Sequence, residues 1–86
     1  PNGEEKMATA LAELKVRIAE KGERAAVIES RKHLALYFKG VRGAAEARGY
    51  LNSATSYEEV LKLCCSLLSR GNELEERIDR IFKAMQ

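Results

Sequence analysis

Between residues 31 and 48 the chain sets Arg31, Lys32, His33, Tyr37, Lys39, Arg42 and Arg48 against a single acid, Glu46. The local net charge is +4, whereas residues 1–30 and residues 49–86 each come to −1, with five basic side chains against six acidic ones. Arginine and lysine neutralise phosphates, and an aromatic ring or imidazole on the same surface can stack on a base or pack on ribose. The turn Gly40-Val41-Arg42-Gly43 adds backbone amides able to face a phosphate. The chemistry on offer is recognition of a polyanion. The plainer alternative is a solvated helix face, with Tyr37 a half-buried core aromatic and His33 a boundary residue.

Other reactive types are sparse. The lone His33 cannot supply both a base and its orienting partner, so no nucleophile–base set can be assembled. Cys64 and Cys65 are adjacent, and neighbouring Cα atoms about 3.8 Å apart are too close for ordinary disulfide geometry. Cys64 falls on an apolar helical stripe and reads as a small buried hydrophobe, with Cys65 one position round and partly exposed. One histidine and two cysteines make neither a zinc finger nor a disulfide framework, and no metal site is expected. Two free thiols fit a reducing cytoplasm.

The elements that must position these residues are helical. Pro1 is the only proline, and no β-branched run alternates with polar residues. Met7, Leu11, Leu14 and Ile18 recur at helical spacing, and Lys21-Gly22 closes that helix. A second helix is predicted from about 23 to 39, with Val27, Leu34 and Phe38 on one face. Lys32 and Lys39 point nearly the opposite way, with Ile28 and Leu36 nearer to them. Being apolar on more than one side, this helix is expected to be the central one. A third helix, about 44–53, would bury Ala47, Tyr50, Leu51 and Ala54, and Gly49 within it would be tolerated where another backbone packs closely. Ser56-Tyr57-Glu58-Glu59 is a capping box opening a fourth helix with the stripe Tyr57, Val60, Leu61, Cys64, Leu67 and Leu68. Arg70-Gly71 would end it. Asn72 with Glu75 would cap a fifth helix carrying Leu74, Ile78, Ile81, Phe82 and Met85. The fold class is all-α, a small bundle of four to five amphipathic helices forming one domain over residues 1–86.

At 86 residues and 45% hydrophobic content the chain fits one small globular domain rather than a disordered segment. No stretch approaches the roughly 20 apolar residues of a membrane-spanning helix. The start Pro1-Asn2-Gly3 has no initiator methionine and reads as the boundary of a domain cut from a longer protein.

The segment from Lys21 to Gly40, with its core Arg31-Lys32-His33, Tyr37, Lys39 and Gly40, resembles the C-terminal helical domain of bacterial tRNA-dihydrouridine synthases. Gly43-Ala44-Ala45-Glu46, Arg48 and the run Leu51–Val60 continue the match, so the resemblance covers about residues 11–68. It implies an accessory domain that grips tRNA. The (β/α)8 barrel of the parent enzyme would bind FMN and use NADPH to reduce uridine to dihydrouridine. The fragment itself would hold no catalytic residue and no cofactor. Carried over by position, Arg31, Lys32, Lys39 and Arg48 would contact phosphate or ribose, His33 and Tyr37 would lie in the same stretch, and Gly40 and Gly43 would shape a turn that Arg42 makes more basic. Leu36 stands where many relatives have an aromatic, and Arg42 where many have a proline. Residues 69–86 have no counterpart and would form an extra helix. The partners implied are tRNA and the parent's own barrel, in the cytoplasm and away from membranes. The alternative is a helical interaction or dimerisation module, resting on Ile28, Leu36 and a C-terminal seam of Leu74, Ile78, Ile81 and Met85.

Overall fold

A computed structural model describes residues 3–68 and 73–86, Leu68 by its backbone alone. Among the described residues there are five α-helices and no strand: α1 (Gly3–Lys21), α2 (Glu23–Ala35), α3 (Ala44–Leu51), α4 (Tyr57–Leu68) and α5 (Glu73–Ala84). A 3₁₀ turn, Leu36–Phe38, extends α2. The expected second helix thus tightens after Ala35, and the expected third ends two residues early, at Leu51. Arg70-Gly71 and Asn72 lie outside the described residues.

Gly22 is the whole connection between α1 and α2. Its φ of 94° suits a residue without Cβ. Its N–H donates to the Ile18 carbonyl at 2.9 Å, and its own carbonyl accepts from the Ala26 N–H at 3.1 Å. One residue therefore satisfies a helix end and a helix start at a sharp corner.

The central helix is α1, not α2. It packs on α2, α4, α5 and the 3₁₀ turn, whereas α2 packs on α1, α3 and that turn. The reason lies in its alanines: Ala8, Ala10 and Ala12 are buried along with Met7, Leu11 and Leu14. Six buried positions spread over more than half the helix circumference, and small residues let neighbours approach closely. Against this face stand Val27, Leu34 and Phe38 from the α2 side, Val60 and Cys64 from α4, and Leu74 and Ile78 from α5, all at 1% exposure or less. The Cys64 thiol donates to Met7 Sδ at 3.5 Å, and burial pushes its pKa up to about 12, so it stays protonated near neutrality. Because α5 seats Leu74 and Ile78 on this core, the C-terminal seam is largely spent inside the domain. Met85 departs from the stripe and is exposed.

Two expectations about α3 are corrected. Tyr50 is 62% exposed: the helix buries Ala44, Ala47 and Leu51, and Tyr50 sits about 100° round from Leu51. No backbone crosses Gly49, where an added Cβ would meet open space.

The capping box forms as expected. The Glu59 N–H donates to Ser56 Oγ at 3.2 Å, and Ser56 Oγ donates to Glu59 Oε1 at 3.0 Å. The Thr55 N–H also donates to that carboxylate, at 3.2 Å, and hydrogen bonds from Thr55 and Ser56 hold it below the usual carboxylate range.

Candidate nucleic-acid interface

The turn that follows α2 orders the basic stretch. Lys39 leaves the 3₁₀ turn in extended conformation, the Val41 N–H donates to the Phe38 carbonyl at 3.0 Å, and the Ala44 N–H donates to the Val41 carbonyl at 3.1 Å. Gly40 and Gly43 both adopt positive φ, 80° and 81°, where a side chain would be strained. Lys39 and Arg42 are exposed on this turn, Lys32 and His33 on α2, and Arg48 on α3.

Every ion pair among the described residues lies outside 31–48. Lys15 pairs with Asp79 at 3.5 Å, Lys21 with Glu29 at 2.8 Å, Lys62 with Glu58 at 3.6 Å, and Arg77 with Glu4 and Glu5 at 3.9 and 3.5 Å. Lys32, Lys39, Arg42 and Arg48 have no carboxylate partner among the described residues.

Arg31 is placed differently from its neighbours. It is half-buried, and its guanidinium donates to the Ala54 carbonyl from Nε at 3.0 Å and from Nη2 as well. That carbonyl ends the turn after α3, so Arg31 ties α2 to the α3–α4 corner and commits two of its five N–H donors internally. Glu23 makes the matching tie, accepting from the Tyr57 N–H at 2.9 Å and so capping α4 from the start of α2.

His33 and Tyr37 are brought together. Their rings meet edge to face, centroids 5.3 Å apart at 87°, and the Tyr37 hydroxyl lies 3.3 Å from His33 Nε2. Tyr37 also packs against the core. It therefore serves the fold on one side and the surface on the other.

Sequence reasoning missed three surface groups. Tyr50 adds an exposed aromatic on α3, the helix that carries Arg48. Lys6 and Arg80 meet Tyr37 across an open groove of about 620 Å³ between α1 and α5. Nothing local in the sequence signals that meeting, since it depends on α5 folding back on α1. A second hollow, about 450 Å³, gathers Glu75, Glu76 and Asp79 around Lys15 and Tyr57. Burial, with Asp79 adding to it, raises the Tyr57 phenol well above its ordinary value, so it stays protonated at neutral pH. Among the described residues no group of three or more His, Cys, Asp and Glu could hold a metal ion, and no helix is long and apolar enough to cross a membrane. No family model matches the chain, and no solved structure matches it.

Proposed function

We propose that this chain is an RNA-binding accessory module whose contact face is the end of α2, the following turn and α3. The ligand is tRNA, as the resemblance to the helical domain of tRNA-dihydrouridine synthases implies. The observation that carries the reading is the concentration of charge in residues 31–48, four exposed basic side chains with no carboxylate partner among the described residues in a stretch that holds one acid, Glu46. Lys32, Lys39, Arg42 and Arg48 serve as phosphate contacts, with His33 and Tyr37 packing on ribose or base. Arg31 serves the same face by fixing α2 to α3. In this reading the module holds no reaction centre. FMN, NADPH and the reduction of uridine belong to a barrel domain of a parent flavoenzyme, and linkage to that barrel raises the affinity of each part.

The test is a tRNA titration of the chain at two salt concentrations, with an unrelated duplex as competitor. Saturable, tRNA-preferring binding that weakens steeply with salt is expected, and Lys32→Glu with Lys39→Glu should weaken it while the helical signal in circular dichroism is kept. Unchanged binding in that variant moves the contact face elsewhere.

A second reading, a protein-interaction bundle, is favoured by one observation: Ile28 and Leu36 are 41% and 70% exposed on either side of Lys32. A salt-insensitive dimer without RNA affinity would favour it.

A further inference from the structure

We propose that the groove between α1, α5 and Tyr37 is a binding site for a single nucleotide, an unpaired nucleotide of the bound RNA; this rests on the RNA-binding reading above. The groove holds about 620 Å³, within the roughly 300–1,000 Å³ of small-ligand sites. Its walls divide by chemistry. Tyr37 and Ile81 offer an aromatic ring and an aliphatic face for a base, while Lys6 and Arg80 stand on facing helices. Neither cation has a carboxylate partner among the described residues. Arg77, also in the lining, is by contrast committed to Glu4 and Glu5. A phosphate between Lys6 and Arg80 would gain two charge-assisted contacts.

Tyr37 connects this groove to the basic face, because its hydroxyl meets His33 of α2 while its ring lines the groove. A strand running along Lys32 and Lys39 would therefore have a place beside it for one base out of the stack. The exposed face reads phosphates, and the groove reads the presence of an unpaired base.

The test uses the full chain and adenosine monophosphate as probe, followed by NMR of the Tyr37 ring and Ile81 methyl signals. Lys6→Gln with Arg80→Gln is compared with Arg17→Gln with Lys83→Gln, a pair that removes the same charge from the same two helices outside the groove. Saturable shifts that weaken at least about tenfold in the first pair and persist in the second are expected. No saturable shift, or equal loss in both pairs, overturns the proposal, as do identical shifts from inorganic phosphate alone. Single-stranded RNA should displace the monophosphate, whereas a blunt RNA duplex should not. Monophosphate that stays bound under saturating single strand assigns the groove to a free nucleotide and overturns the RNA assignment. Failure of the underlying reading looks different: Lys32→Glu with Lys39→Glu would leave RNA affinity unchanged while the groove still shifts with monophosphate.

Discussion

The α1–α5 pair and the stretch from Arg31 to Arg48 use the same residue types to opposite ends. Across α1 and α5, charges of opposite sign meet beside a packed apolar strip: Lys15 with Asp79, and Arg77 with Glu4 and Glu5. Lys15 also lies over the rings of Phe82 and Tyr57, at 5.0 and 5.6 Å. Such exposed pairs contribute only about 0–1 kcal/mol each, so their main effect is to favour one seating of α5 on α1. In 31–48 the cations find no acids, and only Arg31 turns inward, to a carbonyl. Charge supports packing at Lys15 and Arg77 in the first region, whereas in the second Lys32, Lys39, Arg42 and Arg48 stand exposed without an acid partner among the described residues.

That contrast can be broken at several points. The largest effect should come from its apolar base. Leu11→Ala, at a fully buried position of the central helix, should cost about 2–5 kcal/mol in a denaturant melt. A cost below about 1 kcal/mol would mean α1 is not the centre of the core.

Arg31→Ala should come next, at about 1–3 kcal/mol, because it strips the Ala54 carbonyl of its donor. Its RNA affinity per folded molecule should fall less than that of Arg42→Ala; the reverse order would make Arg31 a phosphate contact after all.

The basic face should show itself in salt. Four phosphate contacts predict a log–log slope of roughly −3 to −4 for tRNA binding. A slope near zero would collapse the distinction between the two regions.

Smaller effects should come from the helix ends. Ser56→Ala should cost about 1 kcal/mol at neutral pH. Glu59 has a folded pKa held below its unfolded one, so its contribution is complete above the unfolded value and is lost as pH falls through the folded one. The Ser56→Ala penalty should therefore shrink in acid, and a penalty that grows there would refute the capping role of the carboxylate. Smallest, and opposite in sign, Gly49→Ala should stabilise the domain by up to about 1 kcal/mol, since open space surrounds the position and the helix interior favours alanine.

The features legible in the sequence were those set by neighbours along the chain. The Lys21-Gly22 stop, the Ser56–Glu59 box and the Val27, Leu34 and Phe38 face follow from spacing and appear in place. The basic stretch was legible because its charges are contiguous. What escaped depended on distant partners. Alanines carry no strong pattern, so Ala8, Ala10 and Ala12 did not mark α1 as the centre. The sequence groups Tyr50 with Ala47, Leu51 and Ala54 on one buried side, yet an eight-residue helix buries one narrow face. Arg31 reaches Ala54, and Lys6 and Arg80 come to line one groove, only once the helices have docked.

The two ties from α2 bear on motion as well as on packing. An eight-residue helix such as α3 lies below the roughly 12–15 residues at which isolated helices become even marginal. Its order is borrowed from packing and from the turn that Arg31 and Glu23 pin on either side, at Ala54 and Tyr57. Hydrogen exchange in α3 should consequently follow the opening of that corner rather than global unfolding. Arg48 would then be presented intermittently, and a partner that grips it would select the closed corner and slow exchange along the whole of α3.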